Sequence, residues 1–196
     1  MPIGDSITTS TCYRAKLAGL LDVKHKGDWD FVGTQKNGGC GVTYDPDNEG
    51  HGGYLITQHT AEFAGWAAAN TIDVMLLHFA TNDNWNSLAP AKILDAYTML
   101  VTEFRKQSPY AIILVAQLIP LAPTGCDPCP GNIKTFNAAV PAWAQKTSTA
   151  MSPVIVVDQW TGYDVVADNR DGVHPNDTTG SVKMATKWDE ALEPLF

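Results

Sequence analysis

Short unbroken apolar runs alternate with longer stretches of helical periodicity, and this alternation constrains the fold of the 196-residue chain more than any other feature. Ile72–Phe79 (IDVMLLHF), Ala111–Leu118 (AIILVAQL) and Pro153–Asp158 (PVIVVD) read as buried strands, and Asp30–Val32 as a shorter one. Continuous apolar runs of this length belong to parallel strands covered on both faces. Between them, Thr11–Val23 repeats Ala15, Leu17, Ala18, Leu20 and Leu21 at helical spacing. Ala89–Gln107 does the same with Ile93, Ala96, Tyr97, Leu100, Val101 and Phe104, and Asn132–Thr147 and Ser181–Leu192 follow the pattern. Strand–helix alternation predicts a doubly wound α/β sheet with right-handed crossovers. In such sheets the site lies at the carboxyl ends of the strands. A single domain over residues 1–196 is expected, since the length suits one sizeable core and no repeat or low-complexity linker divides the chain.

Charge narrows the partners. The chain carries 13 basic and 21 acidic residues, a net −8, with no Lys/Arg cluster to neutralise phosphates. Nucleic acid and anionic membrane surfaces are therefore not expected partners. The apolar runs are too short to cross a bilayer. No signal peptide opens the chain: Met1-Pro2-Ile3 leads directly into Gly4-Asp5-Ser6. The expectation is a mature exported protein whose sequence begins inside its first strand.

The four cysteines, Cys12, Cys40, Cys126 and Cys129, fit two disulfides in an exported protein. Three pairings are open; Cys12–Cys40 with Cys126–Cys129 is the one we favour. Cys126–Cys129 is a C-D-P-C segment in a Pro/Gly-rich loop with no thioredoxin-like context, which argues against a redox role. A zinc site needs two further ligands at suitable spacing, and none is present. The acidic segment Tyr44–Glu49 has the donors for calcium, but its spacing is not that of an EF-hand, and solvated turn residues are the simpler reading.

Four segments carry groups with chemical potential. Gly4-Asp5-Ser6-Ile7 places a serine between a strand stub and a helix. The helix start aims N–H groups at a developing oxyanion, although helix-capping serines are common. Glu49–Tyr54 (EGHGGY) lets backbone approach a ligand closely, with His51 read as a structural hydrogen-bonding residue in a flexible loop. Ala80–Asp83 (ATND) ends the strongest strand, where Asn82 can donate to an oxyanion or simply form a turn. Asp171-Gly172-Val173-His174-Pro175 offers a histidine to move protons and a carboxylate to orient it. Asp168 competes with Asp171 for that second role.

In this order, G-D-S-I, a glycine block, T-N-D and D-G-V-H-P, the segments resemble the SGNH (GDSL-like) hydrolase superfamily from end to end of the chain. The E-G-H-G-G-Y block is similar to the E-G-H-S-G-W block of carbohydrate esterase family 3, whose members are acetyl esterases typically acting on acetylated xylan. The resemblance implies a flavodoxin-like three-layer αβα sandwich around a five-stranded parallel sheet. It implies Ser6 as nucleophile, His174 as general base and Asp171 as its partner. It implies an oxyanion hole made by the N–H groups of Ser6 and Gly53 and the side-chain amide of Asn82. No metal or organic cofactor is implied. Two departures stand out: Ala80 replaces the usual glycine, which is tolerable only at negative φ, and Gly52 and Tyr54 replace serine and tryptophan.

The function expected is therefore a secreted, monomeric serine esterase that removes acetyl groups from an acetylated polysaccharide or oligosaccharide, with xylan the leading substrate. Trp85 and Trp160 are the expected pocket walls. A lipid or thioester esterase on the same fold is the alternative enzyme, though no long apolar lid segment is present. A non-catalytic carbohydrate-binding protein is the alternative of another class; it has no need of Ser6, Asn82 and His174 in this order.

Overall fold

The computed structural model describes residues 1–196. In chain order its elements are β1 (Pro2–Gly4), α1 (Ser6–Ser10), α2 (Tyr13–Lys24), β2 (Gln35–Lys36), β3 (Asp47–Gly50), α3 (Phe63–Ala69), β4 (Val74–His78), α4 (Thr81–Trp85), α5 (Pro90–Gln107), β5 (Ile112–Gln117), α6 (Cys129–Thr147), β6 (Val154–Asp158), α7 (Val165–Asp168) and α8 (Gly180–Leu192). Short 3₁₀ turns lie at Ile56–Gln58, Thr60–Glu62 and Glu193–Leu195.

The strands form one sheet in the order β2-β3-β1-β4-β5-β6. Five of them run parallel, as expected. The sixth, β2, adds a two-residue antiparallel edge to β3. The chain leaves β1 toward β3 and then returns across the sheet to β4, β5 and β6. With right-handed crossovers, that reversal puts α2 on one face and α3, α5 and α6 on the other. α8 returns to the face of α2 and packs against it. The result is a three-layer α/β sandwich, and the reversal beside β1 opens a crevice at the carboxyl end of that strand.

The core follows the apolar periodicity. Ile93, Ala96, Tyr97, Leu100, Val101 and Phe104 are the buried face of α5, which opens on Pro90 in its first turn and ends with Arg105 and Lys106. Such ends suit a helix, since proline has no N–H to satisfy there and cations favour the carboxyl end. Met75–Leu77 and Ile113–Ala116 are buried along the two central strands. β6 differs from expectation: as an edge strand it leaves Ile155 41% exposed.

Two further expectations are corrected. Asp30–Val32 is not a strand. Phe31 is buried, but its N–H is taken by the Asp45 carboxylate at 2.7 Å instead of by a neighbouring strand. The strand on that side is β3, built from Asp47-Asn48-Glu49-Gly50 inside what reads as a flexible loop. Its polar side chains survive burial because each is bonded: Asn48 donates to Pro46 O at 2.8 Å and accepts from Gly50 N–H at 2.8 Å. Glu49, fully buried, accepts from Thr34 N–H and Oγ1–H at 2.8 and 2.7 Å. Buried polar groups are tolerated on that condition.

Both favoured disulfides are present, Cys12–Cys40 and Cys126–Cys129, and there are no free cysteines. No helix is long and apolar enough to cross a membrane.

Candidate active site

The end of β1 turns sharply into α1, and the turn is held by Asp5. One carboxylate oxygen caps α1 through Ile7 N–H at 3.1 Å; the other accepts Thr81 N–H at 2.9 Å from the start of α4. Burial pushes the Asp5 carboxyl above its ordinary value, against those two N–H bonds that favour the anion. Ser6, the first residue of α1, is thereby fixed at the carboxyl rim of the sheet beside the α4 turn.

At the other end of the sequence, the loop after α7 reaches the same rim. Ser6 Oγ lies 2.8 Å from His174 Nε2, and His174 Nδ1 lies 2.8 Å from Asp171 Oδ2. A carboxylate only accepts, so Nδ1–H donates to Asp171 and Nε2 is left to accept the Ser6 hydroxyl proton. Asp171 Oδ1 takes two backbone N–H groups of its own loop, Val173 at 3.0 Å and His174 at 2.7 Å. Partial desolvation works to raise the Asp171 carboxyl, but the His174 and Val173 hydrogen bonds outweigh it and hold it below the usual carboxylate value. Asp168, the competing carboxylate, instead binds Lys183 Nζ at 2.7 Å and Asp164 N–H at 2.7 Å.

The Asp171–His174 loop is seated by backbone. Ala122 N–H donates to Gly172 O at 2.9 Å. Gly172 has φ +78° and packs so closely that an added Cβ would lie 2.4 Å from Ala122 O. Glycine meets both demands at once. The Ala122 segment continues into the loop closed by Cys126–Cys129.

The glycine block lies on the other side of Ser6. His51 N–H donates to Gly4 O at 2.8 Å, and a Cβ at Gly52 would sit 4.0 Å from Ser6 Cβ. Gly53, at φ +82°, is exposed beside it. Asn82, half-buried in α4, donates one amide hydrogen to Tyr54 O at 2.9 Å, which leaves its second amide hydrogen free. Asp83 ties α4 to the 3₁₀ turn that follows this block by accepting Ile56 N–H, Thr57 N–H and Thr57 Oγ1–H at 2.9, 3.2 and 2.7 Å. Burial raises the Asp83 carboxyl in spite of these donors.

Ala80 corrects an expectation. Its φ is +103°, not negative, and it is fully buried. The α4 turn is nevertheless in place, because Ala80 O accepts both the N–H and the side-chain amide of Asn84, and Thr81 N–H is held by Asp5. Two buried carboxylates, Asp5 and Asp83, thus stitch these segments together, while a third, Glu49, ties its own segment to Thr34 and holds His51. All three sit inside the G-D-S, E-G-H and T-N-D segments, and no apolar pattern in the sequence marks them as buried. Trp85 closes α4 and is 39% exposed, while Trp160 is half-buried after β6; neither hydrogen-bonds to Ser6, His174 or Asp171. A cleft of about 670 Å³ lined by Trp29, Phe31, Val32 and Ile72 lies at the opposite, amino-terminal rim, away from this chemistry.

Known proteins show the same arrangement of chain. A carbohydrate esterase family 3 protein from Talaromyces cellulolyticus superposes with a TM-score of 0.90 at 30% identity, covering 100% of this chain and 96% of its own. An acetyl esterase carrying a serine-to-alanine substitution, with an acetate ion, superposes at 0.88 with 29% identity, 100% and 96% covered. A Clostridium thermocellum family 3 carbohydrate esterase follows at 0.82 with 27% identity, 100% and 94% covered. No curated protein matches the sequence. The GDSL-like Lipase/Acylhydrolase family matches residues 3–179, a span that takes in Ser6, Asn82 and His174 alike, and the chain belongs to that family.

Proposed function

We propose that the protein removes acetyl groups from acetylated carbohydrate by two-step acyl transfer, with xylan the leading substrate. The observation that carries this reading is the continuous hydrogen-bonded chain from Ser6 Oγ through the His174 ring to Asp171. Ser6 attacks the acetyl carbonyl as His174 Nε2 takes its proton. Asp171 holds the ring in the tautomer that can do so and stabilises the imidazolium that forms. The Ser6 N–H, the Gly53 N–H and the free amide hydrogen of Asn82 receive the oxyanion. One such donor is typically worth about 3 kcal/mol of transition-state stabilisation. His174 returns its proton to the leaving sugar oxygen, and water then releases acetate by the same route.

Support for the acetyl and carbohydrate parts comes from the similar structures, two described as carbohydrate esterases and one as an acetyl esterase with acetate. Gly52 and Gly53, exposed beside Ser6, place no side chain over this side of the serine, which suits a bulky alcohol. Two disulfides suit work in an oxidising compartment outside the cell.

The test is acetate release from acetylated xylan and acetylated pectin, together with a series of model esters of rising acyl length. Acetyl xylan turnover with steeply falling rates on longer acyl chains is expected. Faster turnover of long-chain esters than of acetates would favour a lipid esterase instead. Ser6→Ala is expected to abolish p-nitrophenyl acetate turnover, and an organophosphate is expected to label Ser6. Full activity without Ser6 would end this reading, and an unlabelled Ser6 would favour a carbohydrate-binding protein.

A further inference from the structure

Four rings form one continuous stack beside the Gly52–Gly53 turn. Trp66 of α3 faces His51 with centroids 4.3 Å apart and planes within 13°. His51 faces Tyr54 at 5.1 Å and 16°, and Tyr54 faces His59 at 3.6 Å and 8°. His51 and Tyr54 are also the two ends of the turn, since Tyr54 N–H donates to His51 O at 3.2 Å. The rings therefore press together the ends of a turn whose middle is Gly52–Gly53.

Two rings of the stack, the inner His51 and the terminal His59, are tethered by carboxylates. Glu49 accepts from His51 Nε2 at 2.7 Å while fully buried, and Glu62 pairs with His59 Nδ1 at 2.8 Å. Both ends of the turn are tethered by backbone as well, His51 N–H to Gly4 O and Tyr54 O to the Asn82 amide. Those partners belong to the segments that carry Ser6 and Asn82.

Two adjacent glycines are the least restrained pair a chain can contain. An oxyanion donor works only if it is already aimed before charge develops. The stiffness that Gly52–Gly53 lacks must come from outside it. We propose that His51, clamped between Trp66 and Tyr54 and oriented by Glu49, is a positioning residue that fixes the Gly53 N–H toward the oxyanion. This rests on the assignment of Ser6 and Gly53 given under Proposed function.

The experiment compares wild type, His51→Ala, His51→Phe and Tyr54→Leu on p-nitrophenyl acetate, with Tm measured for each. Wild-type turnover that Ser6→Ala abolishes first establishes the underlying assignment. His51→Ala is then expected to lower kcat by about 30-fold with KM within about twofold, because both acyl-transfer steps use the same donors. His51→Phe restores a flat ring but not the Glu49 bond, and is expected to recover only part of kcat. Tyr54→Leu, which removes a half-buried ring between His51 and His59, lowers kcat in the same direction without unfolding the chain. If His51→Ala lowers Tm but leaves kcat within about twofold, or raises KM alone, the rings only pack α3 and the proposal is overturned while the assignment of Ser6 stands. If His51→Ala fails to fold, Tyr54→Leu decides by the same criterion.

Discussion

The Asp168 carboxylate is bound to the Lys183 ammonium at 2.7 Å and takes no hydrogen bond from His174. Two acidic residues three positions apart thus separate into different tasks. Asp171→Asn is expected to reduce kcat by about 100-fold or more, because an amide facing Nδ1 no longer enforces the required tautomer. Asp168→Asn, at a buried position, is expected to lower stability by about 1–3 kcal/mol while keeping kcat within about threefold. Steady-state kinetics and denaturant titration on the two variants check this; the opposite pattern would exchange their assignments.

Gly172 and Gly52 make a second pair. Gly172→Ala must accept φ +78° and place Cβ 2.4 Å from Ala122 O, so the loop holding His174 has to shift. A stability loss of about 2 kcal/mol or more with a marked fall in kcat is expected. Gly52→Ala meets only Ser6 Cβ, at 4.0 Å, and should keep stability within about 0.5 kcal/mol. Thermal melts and kcat on both variants test the contrast.

Ala80 holds φ +103°, a conformation that costs an L-residue about 1–3 kcal/mol. Ala80→Gly releases that strain against about 0.4–1 kcal/mol of added unfolded-chain entropy. The expected result is a Tm raised by about 2–4 °C with unchanged kcat. A fall in Tm would show that the buried methyl contributes more than the strain costs.

His78, at the end of β4, is fully buried with no partner for Nδ1. Burial lowers its pKa from 6.5 to about 4, so the fold holds the neutral ring. The unfolded chain binds a proton at higher pH than the folded one does. Stability is therefore complete above about pH 6.5 and is lost as pH falls toward 4, by about 3 kcal/mol in total. The depressed carboxyl of Asp171 acts in the same direction only at lower pH, where carboxylates titrate. Unfolding free energies at pH 7 and 4.5 should differ less in His78→Gln than in wild type, and equal differences would remove His78 as the cause.

Much of this was legible in the sequence where the signal is local. The buried face of α5 could be read residue by residue, since its apolar spacing fixes which side meets the sheet. Ser6, Asn82 and His174 could be placed on one rim because each follows a strand in a parallel sheet. β3 was not legible: Asn48 and Glu49 are buried through hydrogen bonds to Pro46, Gly50 and Thr34, and no hydropathy pattern records that. The resemblance pointed to Asp171, but the spacing alone left Asp168 open; what occupies Asp168 is Lys183, a residue of α8 that only the fold brings near. The φ of Ala80 and the stack of Trp66, His51, Tyr54 and His59 likewise exist only once the loops are docked.

Ser6 and His174 are 168 positions apart, and the loop bearing His174 follows β6, the outermost strand of the parallel run. Neither half of the polypeptide can assemble the hydroxyl–imidazole pair by itself. Recovery of ester turnover after dilution from denaturant therefore counts only molecules whose two extremities have come into register, which makes activity a stricter gauge of complete refolding than helix content measured on the same sample.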